Sequence, residues 1–313
     1  MPRDDTRYAS DVSRCREILR AGSKSFYAAS LFLPPRVRGP ASVIYAFCRV
    51  ADDAVDLVSP SKAPGALDRM RSRLERVYAD RPDDTPVDRA LAVVVERSGL
   101  PMTVPAALLE GFAWDVEGRR YESLDALLGY CARVASTVGV MMTVLMGRRD
   151  PRVIARACDL GAAMQLTNIC RDVGEDARNG RVYLPLAWLR EAGVDPDALC
   201  AAPAHSEALG GVVARALAEA DALYARADLG VPMLPRDCRV AIRAARLLYS
   251  EIGAVVRGRG DDGVSSRAVV STPRKLSLLA RAVGAAFSRS RAPHDDDPAP
   301  LPAVRFLLDG VTP

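Results

Sequence analysis

Two short runs of this 313-residue chain set acidic and amide side chains at helical spacing. In IYAFCRVADDAVD, Tyr45, Arg49, Asp52 and Asp56 follow at intervals of four, three and four, which at about 100° per residue gathers them within an arc of about 60°. In MQLTNICRDVGED, Gln165, Asn168, Asp172 and Asp176 follow at intervals of three, four and four and span about 80° by the same geometry. The ordinary home of such a stripe is a solvated helix face, because Asp and Arg are mostly exposed. Two features argue against it here. Carboxylates four apart repel each other on a helix, and Asp is a poor helix former. The neighbours Val43, Ile44, Phe47 and Val50, and likewise Leu160, Ala163, Leu166 and Ile169, are apolar around most of the remaining circumference, the pattern of a buried helix. A buried row of unpaired carboxylates is prohibitive, so a cation must lie between the two stripes.

Short carboxylates and amides without His or Cys are hard oxygen ligands, which select Mg²⁺ or Mn²⁺ over zinc. Mg²⁺ is usually held by one or two carboxylates together with substrate phosphates. Two facing Asp pairs therefore imply a bound di- or polyphosphate bridged by metal ions, with Arg49 and Arg171 able to grip its remaining oxygens. The chain has only two histidines, His205 and His294, which argues against a His-rich metal site or a Ser-His-Asp triad. Neither His has an evident partner, and no catalytic role is expected of them. Gly22 to Ser25 (GSKS) lacks the glycine spacing of a nucleotide-binding P-loop.

The elements that must carry these stripes are helical nearly throughout, with Pro and Gly as punctuation. Helices are expected near 11–30, 40–57, 65–80, 86–98, 104–118, 123–147, 150–178, 205–229, 235–257 and 273–290. Asp150-Pro151 sets a capping Asp before a first-turn Pro. No linker, repeat or charge shift divides the chain, so one all-α domain over 1–290 is expected. The Pro- and Asp-rich run from Arg291, with Asp295 to Asp297, opens an expected mobile tail over 291–313. The apolar share of 49% and the net charge of +4, from 43 Lys+Arg against 39 Asp+Glu, exclude intrinsic disorder, and nothing points to a nucleic acid partner. Seven scattered cysteines without C-x-x-C read as small buried hydrophobes in a reducing, cytoplasmic setting. The charged N-terminus excludes a signal peptide, and the longest apolar stretch, Val138 to Met146, is about half of what a membrane span needs.

The blocks GSKSFYAASLFLPP (22–35), YAFCRVADDAVD (45–56), GFAWDVEGRRY (111–121), YCARVASTVGVMMTVLMG (130–147), LGAAMQLTNICRDVGEDARNGRVYLP (160–185) and SRAVVSTPRKL (266–276) together resemble the squalene/phytoene synthase family, in wording closest to its bacterial carotenoid members. The long block around RDVGEDARNGRVYLP is the most specific. The resemblance implies an all-α isoprenoid-synthase fold around a central cavity. It implies Mg²⁺ on Asp52 and Asp56 from one wall and on Asn168, Asp172 and Asp176 from the other, with Asp53 and Glu175 as secondary candidates. Ser23, Lys24, Ser25, Tyr45, Arg49, Gln165, Arg171, Tyr249 and Arg267 would contact diphosphate or the reacting carbons, and Tyr183 would line the cavity. The family usually carries a Tyr-Asp pair followed by two basic residues before its last block. This chain reads GRGDDGVSSRA, with Asp261 where Tyr is common and Ser266 in place of the first Arg, leaving Arg267 to serve alone.

The implied reaction joins two molecules of geranylgeranyl diphosphate head to head, through the cyclopropyl intermediate prephytoene diphosphate, to phytoene. A metal stabilises the departing diphosphate. Apolar residues around Val134, Val138, Met141, Met142 and Leu145 would wall the prenyl chains from water, and released diphosphate or Tyr249 would take the final proton. The alternative in the same reaction class is a thirty-carbon synthase using farnesyl diphosphate. A non-catalytic scaffold would not need two intact metal stripes. Greasy substrate and product lead to the expectation of a peripheral contact with the membrane surface.

Overall fold

A computed structural model describes residues 5–56, 62–286 and 297–311, with the backbone alone at Asp56 and at 285–286. Every regular element among the described residues is helical. The first expected helix is two, α1 (Asp5–Gly22) and α2 (Lys24–Ser30). They break at Ser23, whose backbone is extended (φ −148°) and whose Oγ accepts the Phe26 N–H at 3.2 Å, a side-chain N-cap that starts a new helix. Next come α3 (Pro35–Asp56), α4 (Ala63–Tyr78), α5 (Pro86–Ser98) and α6 (Thr103–Val116). Then α7 (Leu124–Cys131), a π-helical turn (Ala132–Ser136) and α8 (Thr137–Leu145) run on as one stretch.

That stretch, Leu124–Leu145, is long and apolar enough by composition to cross a membrane, which the search for one unbroken apolar run had passed over. Its most apolar window is 61% buried inside the protein, the place of a core helix. The 28-residue α9 (Pro151–Arg178) starts where Asp150 Oδ1 accepts the N–H groups of Arg152 and Val153, at 2.8 and 3.4 Å. Two short helices that the sequence pattern had not revealed, α10 (Leu186–Glu191) and α11 (Pro196–Ala201), precede α12 (Glu207–Asp228), α13 (Arg239–Arg257) and α14 (Thr272–Ala286).

One large apolar cluster packs α1 and α3 to α6 with α8, around Val43, Phe47, Leu74, Leu108 and Met141. Another packs α9, α12 and α13 around Leu166, Cys170, Leu217, Tyr224 and Leu248. Val134 in the π-helical turn touches both, as do Leu301 and Ala303, so the two cores are continuous. Residues 297–311 depart from the expectation of a mobile tail. They carry a last short helix, α15 (Arg305–Asp309), and bury Val304, Leu307 and Val311 in the first cluster. A compact amphipathic run (VRFLL) follows the Pro-rich stretch, and its burial outweighs the disorder that the flanking composition suggests. His294, Asp295 and Asp296 lie outside the described residues.

Candidate active site

Helix α9 runs along the inside of the bundle and supplies one wall of two joined cavities. The stripe read from the sequence, Gln165, Asn168, Asp172 and Asp176, lines a polar cavity of about 310 Å³. Across it stand Tyr45, Arg49 and Asp52 from α3. The Asp56 side chain lies outside the described residues. An apolar cavity of about 290 Å³ adjoins the polar one and shares Tyr45, Cys48, Val134, Gln165 and Asn168 with it. Phe26, Val138, Met142, Leu160 and Met164 wall it. Met141 and Leu145, expected among these walls, face the core, because a helix presents only one side to a cavity.

Charges of both signs are locally paired. Arg49 reaches Asp53 at 2.6 Å and Asp52 at 3.5 Å. Asp172 receives Arg171 Nε at 2.8 Å and Arg267 Nε at 3.1 Å. Arg267 is carried there by the loop after α13. The loop is fixed to α9 where the Gly174 N–H donates to the Gly263 carbonyl at 3.0 Å, and the absence of a Cβ at Gly174 leaves room for the backbone of Val264. Asp262 holds the same loop by accepting the N–H groups of Val264 and Ser265 at 2.8 and 2.9 Å.

Burial, followed by the neighbouring Asp172 charge, pushes the Asp176 carboxyl up to about 8, so a second negative charge on that wall is disfavoured until a cation arrives. Asn168 Oδ1 is buried in the same wall with no hydrogen-bond partner, an acceptor left for a cation or a donor. Among the described residues no three His, Cys, Asp or Glu converge closely enough to hold a metal alone; Mg²⁺ is usually held by one or two carboxylates together with substrate phosphates. Asp52, Asn168, Asp172 and Asp176 therefore fit a hard divalent cation. Glu175 on the same helix is exposed.

Where the two cavities meet, the rings of Phe26, Tyr45 and Tyr249 cluster, with Phe26 to Tyr249 at 5.1 Å and Phe26 to Tyr45 at 6.1 Å between centroids. Burial pushes the Tyr249 phenol well up, so it stays protonated. Ser23, Lys24 and Ser25 line neither cavity. Ser23 Oγ is occupied in capping α2, and the residue of this block that does face the cavity is Phe26. Tyr183 lines the polar cavity as expected, and its hydroxyl donates to Asp115 Oδ1 at 2.8 Å while the Tyr130 hydroxyl donates to Asp115 Oδ2 at 2.9 Å. Asp115, Tyr130 and Arg181 are cavity residues that sequence reasoning had not singled out. The signal for Asp115 was a lone carboxylate in the otherwise apolar stretch GFAWDV.

Comparison with known proteins agrees with this geometry. Residues 19–275 match the family model of squalene/phytoene synthase. The chain is 50% identical over 305 residues to a phytoene synthase of Rhodobacter capsulatus, covering 96% of this chain and 90% of that one. It is 47% identical to a phytoene synthase of Cereibacter sphaeroides, covering 97% and 88%. Among solved structures, a dehydrosqualene synthase in complex with ligand superposes with a TM-score of 0.82 at 31% identity, covering 88% of this chain and 96% of that one. A squalene synthase from Alicyclobacillus acidocaldarius gives 0.74 at 27%, covering 81% and 95%. With an isoprenoid-synthase helical fold, two aspartate walls and an apolar cavity behind them, the chain belongs to the squalene/phytoene synthase family.

Proposed function

We propose that the chain, working as a single helical domain, condenses two molecules of geranylgeranyl diphosphate head to head to phytoene, with release of both diphosphates. The observation that carries this reading is the junction of the two cavities: a carboxylate-walled chamber suited to diphosphate opens onto an apolar one suited to its prenyl chain. The phytoene synthases that match it over nearly their whole length support the same product.

Asp52, Asn168, Asp172 and Asp176 would hold Mg²⁺, with Asp56 as the fourth carboxylate of the stripes, and the bound ion would neutralise the diphosphate and assist its departure. Arg49, Arg171 and Arg267, now on Asp52, Asp53 and Asp172, exchange part of these contacts for phosphate oxygens, so binding leaves no buried charge unpaired. Ionisation breaks the C1–O bond of one substrate, and the allylic cation is attacked by the C2–C3 double bond of the other. Loss of a proton closes the cyclopropane of prephytoene diphosphate. Second ionisation, rearrangement and loss of another proton give phytoene. The faces of Phe26, Tyr45 and Tyr249 stand where the cation develops and stabilise it through their ring quadrupoles. Burial keeps the Tyr249 phenol neutral, which favours released diphosphate as the acceptor of the proton. Apolar walls exclude water from the cation.

We further propose a cytoplasmic enzyme with a peripheral membrane contact. Support for that contact comes from α14 and the residues before it, where Val269, Leu276 and Val283 are exposed beside Arg274, Lys275 and Arg281, an apolar strip flanked by basic residues. Flotation with anionic liposomes tests the contact, and a protein left wholly in the soluble fraction would refute it. The reading itself is tested by incubation with geranylgeranyl diphosphate and Mg²⁺, with and without NADPH. A forty-carbon product without NADPH supports it, and a thirty-carbon product from preferred farnesyl diphosphate overturns it.

A further inference from the structure

Gly22 lines neither cavity and is exposed to solvent, yet it stands against a residue that lines both. A Cβ on Gly22 would lie 2.5 Å from the Tyr45 hydroxyl oxygen and 3.3 Å from the ring carbons Cε1 and Cζ. The backbone does not call for glycine here. Gly22 is the last residue of α1 and has no positive φ, so an L side chain fits its conformation. Helix propensity does not call for it either, since alanine is the better helix former. What a side chain at this position would take is the space of the Tyr45 hydroxyl.

The break between α1 and α2 thus places two of the three rings that meet where the cavities join. Ser23, next in the chain, caps α2 by accepting the Phe26 N–H at 3.2 Å, and Phe26 walls the apolar cavity. Gly22 admits the end of Tyr45, whose ring lies edge to face with Phe26 at 6.1 Å between centroids. Because Tyr45 lines both cavities and Gly22 neither, the ring stands between the glycine and the cavities, and a push on its hydroxyl drives it inward. An ordinary van der Waals contact of about 3.5 Å would require a retreat of about 1 Å.

We propose that Gly22 is a positioning residue of the active site: its missing side chain seats the Tyr45 hydroxyl at the end of α1 and so fixes where the Tyr45 ring stands in the junction. This rests on the prenyl-diphosphate reading of the cavities, in which Tyr45 faces the developing cation. It adds a residue that touches neither substrate nor metal and acts only through Tyr45.

The test compares Gly22→Ala, Tyr45→Phe and the double variant with wild type. Phenylalanine lacks the hydroxyl that the new Cβ would meet, and the contacts that remain, at 3.3 Å, need only a small tilt of the ring. Gly22→Ala is expected to melt at no lower temperature than wild type, because the position is exposed and the helix favours Ala. Its kcat/KM with geranylgeranyl diphosphate should nevertheless fall about 10- to 100-fold, the scale of a misplacement of about 1 Å at a reacting centre. In the Tyr45→Phe background the same substitution should cost less than about threefold, since the two residues act as one contact. Where turnover is too low to compare, the affinity for unreactive geranylgeranyl thiolodiphosphate in Mg²⁺ decides by the same pattern across the four proteins. Activity of Gly22→Ala within about twofold of wild type, an equal loss in both backgrounds, or a loss that comes with a lowered melting temperature would overturn the proposal. A wild-type protein that couples no substrate but shows the pattern in binding would refute the proposed reaction and support the role of Gly22.

Discussion

Replacing Gly174 by Ala sets two effects of known sign against each other. Gly174 lies inside α9, where Ala is intrinsically favoured by about 1 kcal/mol. A Cβ at this position, however, would stand 2.3 Å from the Val264 carbonyl oxygen, 2.7 Å from its Cα and 2.9 Å from its carbonyl carbon. All three are backbone atoms, so no side chain can swing aside. The loop itself must retreat by about 1 Å, breaking the Gly174 to Gly263 hydrogen bond of 3.0 Å and disturbing the buried Val264 side chain. Overpacking of this kind costs about 1–3 kcal/mol. After the helix gain is subtracted, Gly174→Ala should be destabilised by about 0–2 kcal/mol in urea unfolding. Three residues beyond Val264 the same loop carries Arg267, 3.1 Å from Asp172. Its displacement loses a charged hydrogen bond worth about 1.5–3 kcal/mol, so kcat/KM should fall about 10- to 100-fold. A variant more stable than wild type by the helix propensity alone, with kcat/KM within twofold, would refute the reasoning.

Asp52→Asn or Asp172→Asn should lower kcat by about 100-fold or more at saturating Mg²⁺, the scale of losing a main electrostatic partner of the departing charge, with little loss of stability because carboxylate repulsion is relieved; near wild-type activity in either would refute the metal assignment. Mg²⁺ and inorganic diphosphate together should raise the melting temperature well above the sum of their separate effects, since each completes the other's ligands; additive shifts would contradict a shared site. Burial alone would push the Asp262 carboxyl up, but hydrogen bonds from Ser265 and the Val264 N–H, with His205 opposite, hold it below the ordinary range. Its contribution is therefore complete above its unfolded value and lost as pH falls through the lower folded value. The stability difference between wild type and Asp262→Asn should shrink as pH falls below about pH 4; a difference unchanged across that acid range would refute it.

Most of the fold was legible because Pro, Gly and capping residues punctuate a helical period, as at Asp150-Pro151, where α9 starts with the expected cap. The two stripes were legible for the same reason: helical spacing alone gathers Tyr45, Arg49 and Asp52 on one wall and Gln165, Asn168, Asp172 and Asp176 on the other. What was not legible depends on partners distant in sequence. Asp115 gains its meaning from hydroxyls 15 and 68 residues away. Arg156 and Asp159 look like an ordinary surface pair one turn apart, and only the fold reveals that both are buried. Ser23 shows the converse error: a polar residue beside the site spends its oxygen on the helix that positions Phe26. The tail was misjudged because composition over 291–302 masked the short apolar run that docks Val304 and Leu307.

The most direct test is to incubate the purified chain with geranylgeranyl diphosphate and Mg²⁺ in the absence of NADPH and to identify product and released diphosphate together. Phytoene with two diphosphates per molecule, abolished by chelation of the metal, is the predicted result. A thirty-carbon product made preferentially from farnesyl diphosphate, or a requirement for NADPH, would contradict the account.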